Sequence, residues 1–179
     1  MGKSFDPYKG YEIYMAGGLF DIGSRMRNLA LAKRLRDGLK SAKIILPQIE
    51  AKEFFTKDGT FNMVECSKKC AERAVFSDVV LVNLDGPDAD SGTALEAGLA
   101  LYQKIVGATT SKQPPIVICY RTDFRTDMSR ELGINGMFNL ADKIIYKPAF
   151  ASTDKEMEKF LDDLAKEIIA SITEIIKSR

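Results

Sequence analysis

The stretch Asp78-Val79-Val80-Leu81-Val82-Asn83-Leu84 decides the fold, because its Val- and Leu-rich interior is apolar on both faces. Such a strand is typical of the centre of a parallel sheet that helices cover on each side. The turn residues of segment 85–90 follow it and predict a loop at the carboxyl end of this strand. The rest of the chain must therefore supply the neighbouring strands and the covering helices.

Short apolar segments alternate with longer segments of helical periodicity on both sides of this strand. The predicted strands are 12–16, 43–46, 78–84, 115–120 and 143–146, and the predicted helices are 21–40, 62–76, 92–106 and 154–177. Strands that alternate with helices indicate a parallel sheet with helices on both faces. We therefore expect a doubly wound, flavodoxin-like α/β fold with five parallel strands, whose ligands bind beyond the strands' carboxyl ends.

The composition is that of an ordinary globular chain. Its 179 residues, 45% hydrophobic and 28% charged, suit one domain over 1–179, with 1–10 expected to be a flexible N-terminal segment. The 26 basic and 25 acidic residues are spread along the chain, without the basic face that nucleic-acid binding requires. No apolar run can span a membrane. The three cysteines favour a reducing compartment, so we expect a cytoplasmic protein.

The absence of histidine limits the chemistry that this chain can perform. Ser-His-Asp and Cys-His arrangements are excluded, so catalysis must use carboxylates, Tyr, Lys, Ser or Cys. A zinc site could draw only on Cys66, Cys70 and Cys119 with carboxylates. Because Cys66 and Cys70 lie four residues apart on one helical face, we expect them to pack as small apolar side chains instead.

The first predicted strand ends in Tyr14-Met15-Ala16-Gly17-Gly18-Leu19-Phe20. Paired glycines allow a ligand to approach the backbone, and the helix that follows offers unpaired N–H groups. The pattern is neither G-x-G-x-x-G nor a P-loop. A ligand-binding turn and a simple tight turn between strand and helix are both compatible with it.

The segment Asp90-Ser91-Gly92-Thr93-Ala94-Leu95-Glu96-Ala97-Gly98 places a carboxylate among small and apolar residues of a helix. A carboxylate in such surroundings is costly unless it is paired or functional. Asp90 or Ser91 could simply cap the helix, and Asp78 could have a structural role at the start of its strand. Two carboxylates nevertheless suffice for chemistry at an anomeric carbon, because one attacks C1 while another acid protonates the leaving group.

These three segments, in this order and spacing, resemble the nucleoside 2-deoxyribosyltransferases over about residues 11–147. The resemblance implies a pentosyltransferase of nucleotide salvage. Such an enzyme moves the 2-deoxyribosyl group of a 2′-deoxynucleoside to another purine or pyrimidine base, through a covalent glycosyl-Glu intermediate and with retention at C1′. Members of the family work without metal or cofactor and as oligomers, so the implied partners are small-molecule substrates and further copies of the chain.

The resemblance also implies which residues are catalytic. Glu96 corresponds to the nucleophile that attacks C1′. Asp78 corresponds to the carboxylate that contacts the nucleobase and serves in proton transfer to it. Tyr14 corresponds to the phenol that hydrogen-bonds the nucleophile and orients it.

Further matching residues are implied to contact the substrate. They are Gly17 in the turn, Phe20 against the base, Gln48 as a base-contacting amide, Asp90 on the sugar hydroxyls, and Asn135 and Met137. The last two belong to a segment that family members lend to a neighbouring subunit's site, with Asn135 on the 5′-hydroxyl.

Two other functions remain open. An N-glycoside hydrolase of 2′-deoxynucleosides or their 5′-monophosphates would use Glu96 and Asp78 with water as acceptor. Phosphate recognition usually needs Ser or Arg beside the glycines, which Gly17 to Phe20 lacks, although Ser24 and Arg25 keep the question open. A receiver-like or nucleotide-binding regulatory module could share the fold. A receiver would need an acidic pair after the first strand, and none is present.

The segment Arg121-Thr122-Asp123-Phe124-Arg125 adds charge at the end of the fourth predicted strand. It could recognise a phosphate or form surface ion pairs, and we expect ion pairs.

Overall fold

The computed structural model describes residues 8–106, 113–123 and 134–179. Five strands form one parallel sheet in the order β2-β1-β3-β4-β5. They are β1 (Glu12–Ala16), β2 (Lys43–Ile45), β3 (Val79–Asn83), β4 (Ile116–Arg121) and β5 (Lys143–Tyr146). All five residues of β3 are buried at the centre of the sheet. This order confirms the predicted flavodoxin-like fold.

Helices cover both faces of the sheet, in two pairs. The helices are α1 (Ile22–Gly38), α2 (Pro47–Glu50), α3 (Met63–Phe76), α4 (Ser91–Val106) and α5 (Asp154–Ser178), with short 3-10 helices at Ala51–Phe54 and Gly136–Leu140. α1 packs against α5 on one face, and α3 packs against α4 on the other. The four long helices that the sequence predicts are confirmed, whereas α2 and the 3-10 turns are too short to show a periodicity.

The two faces of the sheet are packed by side chains of different size. Large aliphatic side chains such as Leu35 and Ile168 fill the space under α1 and α5. On the opposite face, the buried positions of α3 and α4 include Ala74, Ala97 and Ala100, each with no exposed surface. Because alanine is small, these two helices lie close to the sheet. This close approach brings polar side chains of α3 and α4 within reach of β1.

The strand order reverses between β1 and β3, so the chain leaves these neighbouring strands in different directions. Such a switch point opens a crevice beyond the carboxyl ends of the two strands. The turn after β1 and the loop between β3 and α4 form its sides.

Part of the N-terminal segment predicted to be flexible lies outside the described residues, at 1–7. The Tyr8 hydroxyl and the Thr173 hydroxyl of α5 are 2.5 Å apart, so the described end of this segment is tied to α5. None of the helices in the described ranges has the length and apolar character to cross a membrane.

Candidate active site

A cavity of about 240 Å³ lies at the carboxyl ends of β1 and β3, where the strand order reverses. Its walls are the turn after β1, the beginning of α2, one face of α3 and the first turns of α4. Most of the lining is apolar. Two carboxyl groups, those of Asp90 and Glu96, and two thiols, those of Cys66 and Cys70, are the ionisable groups among its described lining residues.

Glu96 and Tyr14 form the centre of this site. The Tyr14 hydroxyl donates a hydrogen bond of 2.7 Å to Glu96 Oε1. Tyr14 is fully buried in β1 with its side chain on the α3–α4 face, and burial raises the pKa of its phenol well above the usual value. The phenol therefore stays protonated and acts as a fixed donor to the carboxylate.

Burial also raises the pKa of Glu96, to about 7. The largest cause is the loss of water around the carboxylate, and the negative charge of Asp90 acts in the same direction. The hydrogen bond from Tyr14 opposes this rise. Glu96 is thus a poorly solvated carboxylate, which is suited to attack an electrophilic carbon once it is ionised.

Asp90 caps α4 and also lines the cavity. Its Oδ1 accepts hydrogen bonds from the backbone amide of Thr93 at 3.0 Å and from the Thr93 hydroxyl at 3.2 Å, so it caps α4. The same side chain lines the cavity. The cap fixes the carboxylate in the cavity wall.

The turn after β1 lies directly against the end of β3. A Cβ atom on Gly17 would stand 3.1 Å from the Cβ of Asn83, so a larger residue here would have to displace the Asn83 side chain by a few tenths of an ångström. Phe20, which is 77% exposed, lies at the cavity wall together with Gly17. The structure therefore brings Tyr14, Gly17, Phe20 and Asp90 together with Glu96.

Asp78 is not among the residues that line this cavity, so the structure does not bring it together with Glu96. It precedes β3 at the amino end, where its Oδ2 accepts a hydrogen bond of 2.7 Å from the backbone amide of Glu12. A five-residue strand of about 17 Å separates it from the loop that carries Asp90. Cys70 of α3 lines the cavity together with Glu96.

The Gln48 side chain also forms its hydrogen bonds outside the cavity. Its Nε2 donates to the carbonyl of Arg25 at 3.1 Å, and its Oε1 accepts from Asn28 at 3.2 Å. The side chain joins α1 to α2, while its neighbour Pro47 lines the cavity.

Asn135 and Met137 line a different depression, on the outer face of α4. Asn135 Oδ1 accepts from the backbone amide of Met137 at 3.0 Å and so caps the 3-10 helix at Gly136–Leu140. The Met137 side chain is 66% exposed. Within one chain these two residues are separate from the cavity that contains Glu96.

A buried polar network, here called the Asp85–Arg121 network, fixes the loop between β3 and α4. Arg121 is 2% exposed and donates to the carbonyls of Leu84 at 2.5 Å and Gly86 at 2.8 Å. Asp85 Oδ1 accepts from the backbone amides of Thr122 at 2.5 Å and Asp123 at 3.0 Å. The predicted ion pair is present, because Arg121 Nη2 lies 3.9 Å from Asp123 Oδ2, but it is buried rather than on the surface. Residues 124–125 lie outside the described residues.

Comparisons with known proteins identify the family and the fold of the chain. The family model described as nucleoside 2-deoxyribosyltransferase matches residues 13–137, which is more than half of the chain. No curated protein sequence matches the chain.

Two solved structures share the fold. A conserved protein from Enterococcus faecalis V583 is 21% identical with a TM-score of 0.58, covering 86% of this chain and 98% of its own. A 2-desoxiribosyltransferase from Leishmania mexicana is 18% identical with a TM-score of 0.51, covering 85% and 97%. At this identity the likeness shows the fold, and the family is shown by the sequence model. The chain belongs to the nucleoside 2-deoxyribosyltransferase family.

Proposed function

We propose that this chain transfers the 2-deoxyribosyl group of a 2′-deoxynucleoside to another purine or pyrimidine base, with Glu96 as the nucleophile. Family membership supports the general activity. The observation that carries the proposal is the 2.7 Å hydrogen bond between Tyr14 and Glu96, inside a cavity at the switch point of the sheet.

The proposed reaction has two displacements at C1′. In the first, Glu96 attacks C1′ and forms a C–O bond, while the bond between C1′ and the base nitrogen breaks and its electron pair leaves with the base. The departing base takes up a proton from water. In the second, a nitrogen of the incoming base attacks C1′, loses its proton to water and releases the Glu96 carboxylate. Two inversions give retention.

The charge of the cavity favours a nucleoside over a nucleotide. Asp90 and Glu96 are its charged residues, and no Lys or Arg is among the described residues that line it. A phosphate would face two carboxylates without a compensating cation, which is unfavourable in a poorly solvated site.

The amino end of α1 supports the same conclusion. The Asp21 carboxylate accepts from the backbone amide of Ser24 at 2.8 Å and from the Ser24 hydroxyl at 2.5 Å. The groups of Ser24 that could hold a phosphate are therefore already bound to a carboxylate. The 5′-monophosphate is accordingly the weaker candidate substrate.

We further propose that a second copy of the chain completes the site. Large apolar side chains are exposed around the cavity and on the outer face of α4: Phe20, Leu95, Tyr102, Ile105 and Met137 are between 57% and 77% exposed. Apolar surface of this extent marks protein–protein contact sites. Covering it with a second chain would also enclose the cavity, which is open to solvent near Phe20.

The direct test is base exchange. Incubation with deoxyinosine and adenine should give deoxyadenosine and hypoxanthine, separated by chromatography, and the product should be the β-anomer by NMR. Glu96→Gln should abolish exchange, whereas Glu174→Gln, which changes an exposed glutamate of α5, should not. Release of free deoxyribose without base exchange would instead support the hydrolase. The same assay with deoxyadenosine 5′-monophosphate tests whether a nucleotide is a substrate.

The covalent step has its own measurement. Acid quenching during turnover, followed by peptide mass spectrometry, should find one deoxyribosyl group on the peptide that contains Glu96. An active enzyme that never carries this group would contradict the double displacement.

A further inference from the structure

One wall of the cavity, formed by segment 47–63, is apolar throughout. Its lining side chains are those of Pro47, Ala51, Phe61 and Met63. None of these side chains has a strong hydrogen-bond donor or acceptor. The carboxylates of Asp90 and Glu96 come from other elements, the loop before α4 and α4 itself. Under the proposed function the sugar lies beside Glu96, so the apolar wall is the part of the cavity that remains for the base.

A short hairpin, residues 55–61, supplies the aromatic part of this wall. The Thr56 amide donates to the Thr60 carbonyl at 2.8 Å, and the Gly59 amide donates to the Thr56 carbonyl at 3.0 Å. Gly59 has a φ of +85°, a left-handed conformation that favours glycine. The Asp58 carboxylate accepts from the hydroxyls of Thr56 and Thr60. Local hydrogen bonds therefore hold the hairpin in one conformation.

Two phenylalanines pack together where the strands of the hairpin meet. Their ring centroids are 4.9 Å apart, their ring planes are inclined at 56°, and the two residues form a β-bridge. Phe61 is half-buried and lines the cavity, whereas Phe55 is 57% exposed and is not among the lining residues. Tilted aromatic pairs of this kind are stabilising. Phe55 thus packs against the Phe61 ring from outside the lining and restricts its movement.

We propose that Phe61 is a specificity-determining residue, whose ring packs against the nucleobase and selects it by its aromatic surface rather than by its hydrogen-bonding edge. This inference rests on the proposed function. Two side chains that were expected to contact the base have their partners elsewhere: Gln48 joins α1 to α2, and Asp78 accepts from the Glu12 amide at the amino end of β3. Stacking on an aromatic ring is open to every base, because every base has a π-face.

The area of the base determines the expected preference. A purine has fused rings and buries more surface against Phe61 than a pyrimidine, so removal of this ring should weaken purine binding more. Benzimidazole has the fused rings of a purine, but it lacks the exocyclic groups and the nitrogens of the six-membered ring. An apolar site discriminates only weakly against such an analogue, whereas a site that hydrogen-bonds the base edge rejects it by roughly 10⁴-fold.

The first measurement is the equilibrium binding of free adenine, cytosine and benzimidazole, followed by ligand-observed NMR. We expect benzimidazole to bind the wild-type protein within about tenfold of adenine. Phe61→Ala should weaken adenine binding about tenfold and cytosine binding about threefold, and Phe61→Leu should lie between wild type and Phe61→Ala. Met157→Ala is the matched control, because it removes an exposed apolar side chain of α5 on the other face of the sheet.

Two results would overturn the proposal. One is benzimidazole binding to the wild-type protein more than about a hundredfold more weakly than adenine, which would show that the edge of the base is recognised. The other is a Phe61→Ala protein whose binding of adenine and cytosine changes by the same factor. A ring that only supports the fold would affect both bases equally.

Base exchange provides the second readout. Phe61→Ala should raise the KM for adenine about tenfold with little change in kcat, because the ring acts in binding the base. Phe55→Ala should shift the ratio of the KM values for adenine and cytosine in the same direction by a smaller factor, because Phe55 acts through Phe61. A Phe55→Ala protein with a larger shift than Phe61→Ala would contradict this order.

The two readouts separate this proposal from the proposed function. Base binding that depends on Phe61 in a protein without base-exchange activity would retain the apolar base site and reject the transferase. Base exchange with the same preference between adenine and cytosine in Phe61→Ala and wild type would do the reverse. If Phe61→Ala does not fold, Phe61→Leu decides: a preference moved toward cytosine supports the proposal, and an unchanged preference counts against it.

Discussion

Burial and hydrogen bonding act on Glu96 in opposite directions, and their balance sets the pH range in which the residue can attack. Loss of solvent raises its pKa to about 7, while Tyr14 at 2.7 Å favours the ionised form. A nucleophile needs both effects. Weak solvation keeps the carboxylate reactive, and fixed donors keep it ionised near neutral pH.

The pH profile of kcat/KM should follow the ionisation of Glu96. We expect activity to rise with pH and reach half its maximum near pH 7, falling about tenfold per unit below that. Tyr14→Phe removes a donor to the carboxylate, so the midpoint should move to higher pH. The measurement is base exchange from pH 5 to pH 9 for both proteins. A Tyr14→Phe midpoint at or below that of wild type would show that the hydrogen bond does not favour the ionised form.

The ionised form of Glu96 should also lower the free energy of unfolding at alkaline pH. The pKa of Glu96 in the folded state, about 7, exceeds the ordinary value of 4.5. The favourable contribution of its protonated carboxyl group to the free energy of unfolding is therefore complete below pH 4.5 and is lost as the pH rises through 7. Glu96→Gln should therefore raise the free energy of unfolding at pH 8, by on the order of 3 kcal/mol, and by much less at pH 5. Urea denaturation at both pH values measures this. Glu174→Gln is the exposed control, and an equal gain at pH 5 and pH 8 would contradict the assignment.

At the residue level, the family resemblance singled out Tyr14 and Glu96, and the structure joins these two residues by a hydrogen bond of 2.7 Å. The same resemblance singled out Asp78, but this residue lies at the amino end of a parallel strand, away from the ligand-binding edge. The sequence spacing of α3 could have indicated that Cys66 and Cys70 line the cavity. They precede Ala74, the buried contact of this helix with the sheet, at intervals of four and therefore share its face.

At the scale of elements, the Asp85–Arg121 network determines where α4 begins. Arg121 belongs to β4, yet its guanidinium binds two carbonyls of the loop after β3, and Asp85 of that loop binds two amides after β4. A side chain from each of the two strand ends therefore binds the backbone of the other, and this joins the carboxyl ends of β3 and β4. The loop then leads directly to Asp90 and the first turn of α4.

Arg121→Lys should destabilise the protein more than the same substitution at Arg34, whose carboxylate partners are exposed. Lysine cannot reproduce the planar fork of two donors, so at least one buried carbonyl loses its partner, at a cost of about 2 kcal/mol. Arg34→Lys is the matched control, because Arg34 pairs with the exposed carboxylates of Glu158 and Asp162. Chemical denaturation compares the two. Equal losses would show that the network contributes no more than a surface ion pair.

The sequence predicted the strands from short apolar segments and the four long helices from their helical period, and the predicted bounds lie close to the observed ones. The helical elements that it missed are too short to show a helical period. α2 and the 3-10 helix at Ala51–Phe54 have four residues each and show none. The burial of Arg121 could not be predicted from the sequence either, because its partners are backbone carbonyls, which have no sequence signature.

At the scale of the whole molecule, we propose one common explanation for the exposed apolar surface and the open cavity. Only one face of α4 is buried against the sheet. Tyr102 and Ile105 on its outer face are exposed, and so is Leu95 at the cavity wall. Asn135 and Met137 lie beside that outer face. In a dimer with two-fold symmetry, each chain could present these residues to the other's cavity.

Subunit complementation tests this arrangement. Glu96→Gln and Asn135→Ala should each be defective alone, but a mixed dimer would contain one site with both changes and one site with neither. Co-refolding equal amounts should therefore restore about a quarter of wild-type base exchange, since half of the dimers are mixed and each has one intact site. Glu96→Gln mixed with Asp90→Asn is the control, because both residues line the cavity of the same chain and no intact site can form. A monomer by sedimentation, or no recovery in the first mixture, would place Asn135 outside the site.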